Sequence, residues 1–257
     1  FLSGKIFEII GPIFRSKEII KKNIQRAMPD IDNKRLRKIE NLMWNNYGRV
    51  FAEYIFMKDF RSGNLSSNIK IEGYEILQEI NKNRKQVVFV SGHFANFELM
   101  AMYLDKSGIN LSAIYRPLNN PFLNPFMERI RKKYICQNQV KKGIGGMKKL
   151  ISLKKKNYST ALMIDQRVSQ GILSNFFNEE AFTTTIPAQL VKKFDIPIIP
   201  IYIERTNGIN FKMTVNQPLN FSKNHTEKQI TDELNRLIEK MVMLKPDQWI
   251  WSHNRWK

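Results

Sequence analysis

The sequence predicts an α/β fold: a central mixed or mostly parallel sheet flanked by helices, with a helical N-terminal segment ahead of it. Three observations carry this expectation. Beyond residue 70, short apolar runs rich in β-branched and aromatic residues alternate with longer stretches of helical period, the pattern of a sheet with helices packed on it. Before that point, residues 15–57 show helical periodicity alone. The bulk composition, 42% hydrophobic and 25% charged over 257 residues, is that of a globular chain able to bury the core of one substantial domain.

Taken in order, residues 1–60 read as the helical part and residues 70–257 as the α/β core of a single domain. The opening stretch from Phe1 to Phe14 is apolar but short and interrupted. It fits the tail of an anchor or an interfacial helix, and equally a packed terminal helix. No apolar run is long enough to span a bilayer. Because the chain starts at Phe1 rather than Met, an N-terminal stretch is expected to be missing or processed. Helices follow from Lys17 to Ala27 and from Lys34 to Met57, the second capped by Asp32 or Asn33. Trp44, Tyr47, Phe51 and Tyr54 recur at spacings of three and four, a stripe better suited to packing than to a ligand.

Strands are expected at Gln86–Val90, Leu111–Tyr115, Tyr158–Ile164, Ile196–Ile203 and Phe211–Val215. Helices are expected at Asn96–Lys106, Pro121–Tyr134, Met147–Lys155, Thr185–Phe194 and Glu227–Met243. In such sheets ligands collect beyond the C-terminal strand ends, so the residues that follow each strand matter most.

After Val87-Val88-Phe89-Val90 come Ser91, Gly92 and His93, then a helix containing Glu98. Gly92 permits a tight turn that leaves His93 at the strand end, where a neutral imidazole can take a proton from a substrate hydroxyl. Glu98 could orient the other ring nitrogen, provided His93 lies just before the helix. The plain alternative is a capping histidine with an exposed glutamate. The second strand leads to Arg116 in a Pro-bounded turn, a candidate for bidentate binding of phosphate or carboxylate. Arg131, in the next helix, sits on a different face from its cationic neighbours. The third strand delivers Asp165, which could orient an arginine or hold a loop, and the fourth delivers Arg205. The glycine-rich, basic segment from Lys142 to Lys149 could bind an anion at a helix N-terminus or serve as a connector. Three of the four tryptophans close the chain beside basic residues, which suits a membrane interface, packing or base stacking.

The charge points to an anionic partner: 42 Lys+Arg against 23 Asp+Glu give a formal net charge of +19. Nucleic acid, an anionic membrane surface, phosphorylated substrates and acidic carrier proteins all fit that balance. Cys136, the single cysteine, excludes an internal disulfide, and the three histidines His93, His225 and His253 are too scattered for a metal site.

The ordered set Ser91-Gly92-His93-Phe94-Ala95-Asn96-Phe97-Glu98, Tyr115-Arg116-Pro117-Leu118-Asn119-Asn120-Pro121, Phe176-Phe177 with Thr183-Thr184-Thr185, and Trp251 through Lys257 resembles the lipid A biosynthesis acyltransferases of the lauroyl/myristoyl type. These lie within the lysophospholipid acyltransferase-like superfamily, and the likeness covers nearly the whole chain. It implies acyl transfer from acyl carrier protein to a hydroxyl of a lipid A precursor, without a cofactor. His93 and Glu98 match the catalytic pair, Arg131 and Asp165 match the family's further functional Arg and Asp, and Arg116 and Arg131 would hold phosphates. The implied location is the cytoplasmic face of the inner membrane, at an anionic surface, with no nucleic acid involved; the resemblance also implies an N-terminal membrane anchor, expected to be missing from this chain. A different lipid acceptor (glycerol phosphate, lysophospholipid or another glycolipid), or a basic binding protein without chemistry, remains the alternative at this point.

Overall fold

A computed structural model of the chain describes residues 2–256, so Phe1 and Lys257 lie outside the described residues. The N-terminal part is three helices, α1 (Leu2–Phe14), α2 (Lys17–Ala27) and α3 (Asn33–Glu53). Asp32 caps α3 by accepting the Arg35 N–H at 2.8 Å. The helix expected to run on to Met57 breaks at Glu53 into a 3-10 turn, Tyr54–Phe56, and resumes as the short α4 (Met57–Ser62). Helix α1 lies closely against α3. A Cβ on Gly48 would stand 2.3 Å from the Ser3 carbonyl oxygen, and one on Gly11 would stand 2.4 Å from the Trp44 ring. A larger residue at Gly48 would have to move backbone, and one at Gly11 would have to displace the buried Trp44 ring.

The core follows as β1 (Ile69–Glu72), α5 (Tyr74–Lys82), β2 (Val88–Ser91), α6 (Glu98–Lys106), β3 (Leu111–Tyr115) and α7 (Leu123–Ile130). Helix α7 runs into one π-helical turn, Arg131–Ile135, and then come β4 (Asn138–Lys141), α8 (Ile144–Lys155) and β5 (Ser159–Met163). Next are β6 (Ile172–Phe176), β7 (Glu179–Thr183), α9 (Ile186–Phe194), β8 (Ile198–Asn207), β9 (Asn210–Val215) and α10 (Glu227–Leu244). Among the described residues the strands form a seven-stranded sheet, ordered β1-β9-β8-β2-β5-β3-β4, and a separate β6–β7 hairpin. Only β8 and β9 pair antiparallel in the large sheet. The α/β expectation, with a mostly parallel mixed sheet and a helical N-terminal segment, therefore holds.

Strands β1 and β4 and the β6–β7 hairpin are not expected from sequence. Strand β4 carries one apolar residue, Val140, in four, so it shows no strand period. The hairpin turns on Phe177 and Asn178, both at positive φ (51° and 60°). A turn of that geometry usually announces itself by glycine, and here it does not.

One buried group works against the fold. Lys154 of α8 is 2% exposed, its Nζ has no hydrogen-bond partner among the described residues, and burial pushes its pKa down to about 8. The unfolded chain holds that proton up to its ordinary value of 10.5, so stability rises as pH climbs from 8 towards 10.5. Lys154→Met is expected to stabilise the protein at pH 7 by about 1–3 kcal/mol and to remove this share of the alkaline gain. Urea unfolding at pH 7 and pH 10 measures both. An unchanged midpoint at pH 7 would sink the claim.

Candidate functional site

Strand order brings the site together. In the central parallel pair Ser91 of β2 stands opposite Met163 of β5, and the Ile164 N–H donates to the Ser91 carbonyl at 2.9 Å. Two residues on, His93 and Asp165 leave the sheet side by side. The Asp165 side chain is fully buried, and three N–H groups converge on it. Its Oδ1 lies 2.7 Å from His93 Nδ1, and its Oδ2 accepts the His93 backbone N–H at 2.7 Å and the Trp249 indole N–H at 2.8 Å. Burial alone would raise the carboxyl's pKa. The His93 charge and hydrogen bonds, with the Trp249 donor, outweigh it and hold the group below its ordinary value. With Nδ1 committed to a carboxylate, Nε2 is the nitrogen left for chemistry.

The loop bearing His93 is held by its backbone. Phe94 N–H turns back on the Gly92 carbonyl (2.9 Å), and Ala95, at φ 43°, donates to the Gln248 carbonyl (2.9 Å) and accepts from Asn46 Nδ2 (3.2 Å). The His93 ring meets Phe97 edge-on at 4.6 Å between centroids. A small cavity of 30 Å³ lies here, walled by Asn46, Tyr47 and Val50 of α3, with His93, Phe97 and Trp249 among its other neighbours.

The expectation that Glu98 orients His93 is corrected. Glu98 lies in the first turn of α6, where its Oε1 takes Arg131 Nε at 2.9 Å and also meets Arg131 Nη2 and the Tyr54 hydroxyl. Glu98 lies five positions beyond His93, and the two side chains go to different partners. Arg131 is accordingly a buried cation rather than an open phosphate ligand. Burial disfavours its charge, but Glu98 and Tyr54 more than compensate, raising its pKa above the ordinary value. Its guanidinium also faces the rings of Tyr54 (6.0 Å) and Tyr115 (5.7 Å). Asp165, expected among the substrate-binding residues, is closed off from solvent, so its part is to hold His93.

Arg116 is exposed at the end of β3 and makes no ion pair among the described residues; burial, followed by the Arg116 charge, lowers the pKa of Lys142. Arg205 is buried and braces the site from behind. Its Nη1 and Nη2 grip Glu53 at 2.5 and 3.1 Å, and its Nε reaches Asn46 Oδ1 at 3.3 Å. Asn96 donates to the same Glu53 carboxylate at 2.8 Å. Of the four strand-end residues expected to share one edge, His93 and Asp165 meet directly; Arg205 supports their loop through Asn46, and Arg116 stays outside.

Sequence reasoning misses Trp249, His253, Asn46, Glu53 and Tyr54. Tyr54 belongs to the 44–54 stripe expected to pack, whereas Asn46 and Glu53 lie on another face of α3 and carry no periodic signal. His253 Nε2 accepts the Arg167 N–H at 3.0 Å. Burial, followed by the nearby His93 and Arg255 charges, depresses its pKa to about 4. The folded state then refuses a proton that the unfolded chain accepts below its ordinary 6.5, so stability is complete above pH 6.5 and falls as pH drops towards 4. His253→Asn is expected to flatten that acid slope, which amounts to at most about 3 kcal/mol. Thermal melts from pH 7.5 to 4.5 test it, and parallel slopes for the two proteins would refute it.

With this geometry in hand, the comparisons are specific. The family described as bacterial lipid A biosynthesis acyltransferase matches residues 2–257. A lipid A biosynthesis acyltransferase of Haemophilus influenzae is 23% identical over 260 residues, covering 99% of this chain and 81% of that one. The lipid A biosynthesis lauroyltransferase of Escherichia coli is 22% identical over 95% of this chain and 79% of its own length. Lipid A biosynthesis acyltransferase 2 of Shigella flexneri is 25% identical over 186 residues, 70% of this chain but 58% of that protein. The chain belongs to the bacterial lipid A biosynthesis acyltransferase family.

Proposed function

We propose that the protein transfers a fatty acyl group from an acyl carrier protein thioester to a hydroxyl of a lipid A precursor, with His93 as general base. The observation that carries this reading is the His93–Asp165 pair beside a cavity at the ends of parallel strands, in a chain of this family. His93 Nε2 takes the acceptor hydroxyl proton while that oxygen bonds to the thioester carbonyl carbon. The tetrahedral adduct then collapses, the C–S bond breaks, and the imidazolium returns its proton to the departing thiolate. Asp165 fixes the tautomer that leaves Nε2 unprotonated and stabilises the imidazolium. Glu98 holds the buried Arg131 in an ion pair, and exposed Arg116 is the cation available to an acceptor phosphate.

The reading extends to location at the anionic cytoplasmic face of the inner membrane. Among the described residues no helix is long and apolar enough to cross a membrane. Yet α1 exposes Leu2 (77%), Ile9 (75%) and Ile13 (79%) in one stripe, and Ile55 and Phe122 are as open. Lys5, Arg15 and Lys17 flank that stripe, so apolar insertion and attraction to anionic headgroups act together.

His93→Ala should abolish transfer to a purified lipid A precursor, as read by product mass, and Asp165→Asn should lower the rate by about a hundredfold or more. Glu98→Gln should instead cost about 3–5 kcal/mol of stability by leaving Arg131 unpaired. Full activity in His93→Ala would end the mechanism. Separately, Ile9→Asp with Ile13→Asp should weaken flotation with phosphatidylglycerol vesicles by about tenfold or more; undiminished flotation would discard the docking face.

A further inference from the structure

We infer that Trp249 is a positioning residue for the reaction, its indole N–H fixing the plane of the Asp165 carboxylate so that Oδ1 stays on His93 Nδ1. The inference rests on the proposed role of His93. A carboxylate bonded at one oxygen can rotate about its terminal torsion, which is broad and only loosely two-fold. Here both other donors sit on Oδ2, the His93 backbone N–H at 2.7 Å and Trp249 Nε1 at 2.8 Å, and Oδ1 is left to the ring. The backbone donor moves with the histidine. Among the described residues Trp249 is the one donor that comes from outside the pair, so it alone references the carboxylate to the rest of the fold.

Its own placement is rigid. Trp249 is 2% exposed and packs edge-on against Trp251 at 4.6 Å and tilted on Phe176 at 5.9 Å. The segment that carries it touches both arms of the pair. The Gln248 carbonyl accepts the Ala95 N–H on the histidine loop, while His253 Nε2 accepts the Arg167 N–H two residues past Asp165. From behind, buried Asn23 of α2 donates to the Trp251 and His253 carbonyls at 2.9 and 2.8 Å. Residues 248–253 thus form a clasp that holds two loops already joined by the β2–β5 pairing and by the His93–Asp165 hydrogen bonds.

Trp251 supplies a matched control. It is fully buried in the same segment, but its indole N–H goes to the Pro246 carbonyl rather than to Asp165. Trp249→Phe and Trp251→Phe remove the same atoms, and only the first unhooks the carboxylate. Loss of a neutral donor to a buried charge is expected to lower kcat about 10- to 100-fold in Trp249→Phe, with KM unchanged within about twofold. Trp251→Phe, which loosens the packing of Trp249 but keeps its donor, should melt earlier and lose much less kcat than Trp249→Phe. A second readout is independent of any substrate: the downfield proton on His93 Nδ1, assigned by its absence from His93→Ala, should be sharp in the parent and in Trp251→Phe. It should broaden or vanish in Trp249→Phe. Trp249→His, which returns a ring N–H, should recover part of both signals and carries the same comparison should the phenylalanine variant not fold. Equal kcat losses in the two tryptophan variants, or an unaltered downfield proton in Trp249→Phe, would overturn the inference. Activity surviving in His93→Ala would instead strike at the base assignment, and the proton measurement would then decide the role of Trp249 by itself.

Discussion

A carboxylate with no solvent exposure dictates much of what surrounds it. Asp165 leaves the middle of the sheet with 0% of its side chain accessible, and an isolated ionised group there would cost several kcal/mol. It is tolerated because three donors reach it at 2.7–2.8 Å. The donors constrain two different parts of the chain. The two from His93 require β2 and β5 to be neighbours in register, and the one from Trp249 requires the C-terminal segment to fold back over the strand ends. The site is consequently a product of the whole tertiary structure rather than of one motif.

Two further buried ion pairs extend that frame. Glu53 with Arg205 braces Asn46 and through it the Ala95 carbonyl, and Glu98 with Arg131 joins α6 to the π-helical turn after α7. Buried ion pairs are weak sources of net stability, since desolvation offsets most of their attraction. Their effect here is geometric. Tyr54, at the break that ends α3, bonds into the Glu98–Arg131 pair, so the helical N-terminal segment is tied to the sheet on the same side as the cavity. The single π turn at Arg131 re-aims that arginine inward, away from the exposed lysines that follow it.

This explains which features are legible in the sequence. Strands such as Leu111–Tyr115 can be read to the residue because they are apolar and turn-bounded, and His93 and Asp165 stand out as polar residues ending apolar strands. What periodicity does not encode is lateral order. With β5 taken as merely the third strand after β2, Glu98 is the nearest carboxylate to His93 in sequence. Once β5 is known to lie directly beside β2, Asp165 is the nearest in space. Trp249 and His253 are hidden for the same reason, since their partners lie about 85 residues away. Arg205 and Arg116 read alike as arginines at strand ends. Only packing separates them, one 6% exposed against Glu53 and the other open to solvent.

Helix α3 joins the site to the surface proposed to meet the membrane. Asn46, Tyr47 and Val50 wall the cavity, while Phe51 on the next position is half-exposed and rests against Phe7 of α1 at 6.0 Å between rings. A 3.6-residue period puts 46–47–50 and 51 on faces that differ by no more than the width of the helix. The glycine contacts at Gly11 and Gly48 bring α1 as close to α3 as backbone allows, so the exposed isoleucine stripe of α1 sits one helix diameter, about 10 Å, from the helix that lines the cavity. On the proposed reading, a lipid acceptor would travel from an anionic bilayer to His93 across a single layer of helix. That short path would let an acyl chain stay in apolar surroundings while its polar head is met by cations, which is the arrangement a globular α/β domain needs if it is to act on a molecule that does not leave the membrane.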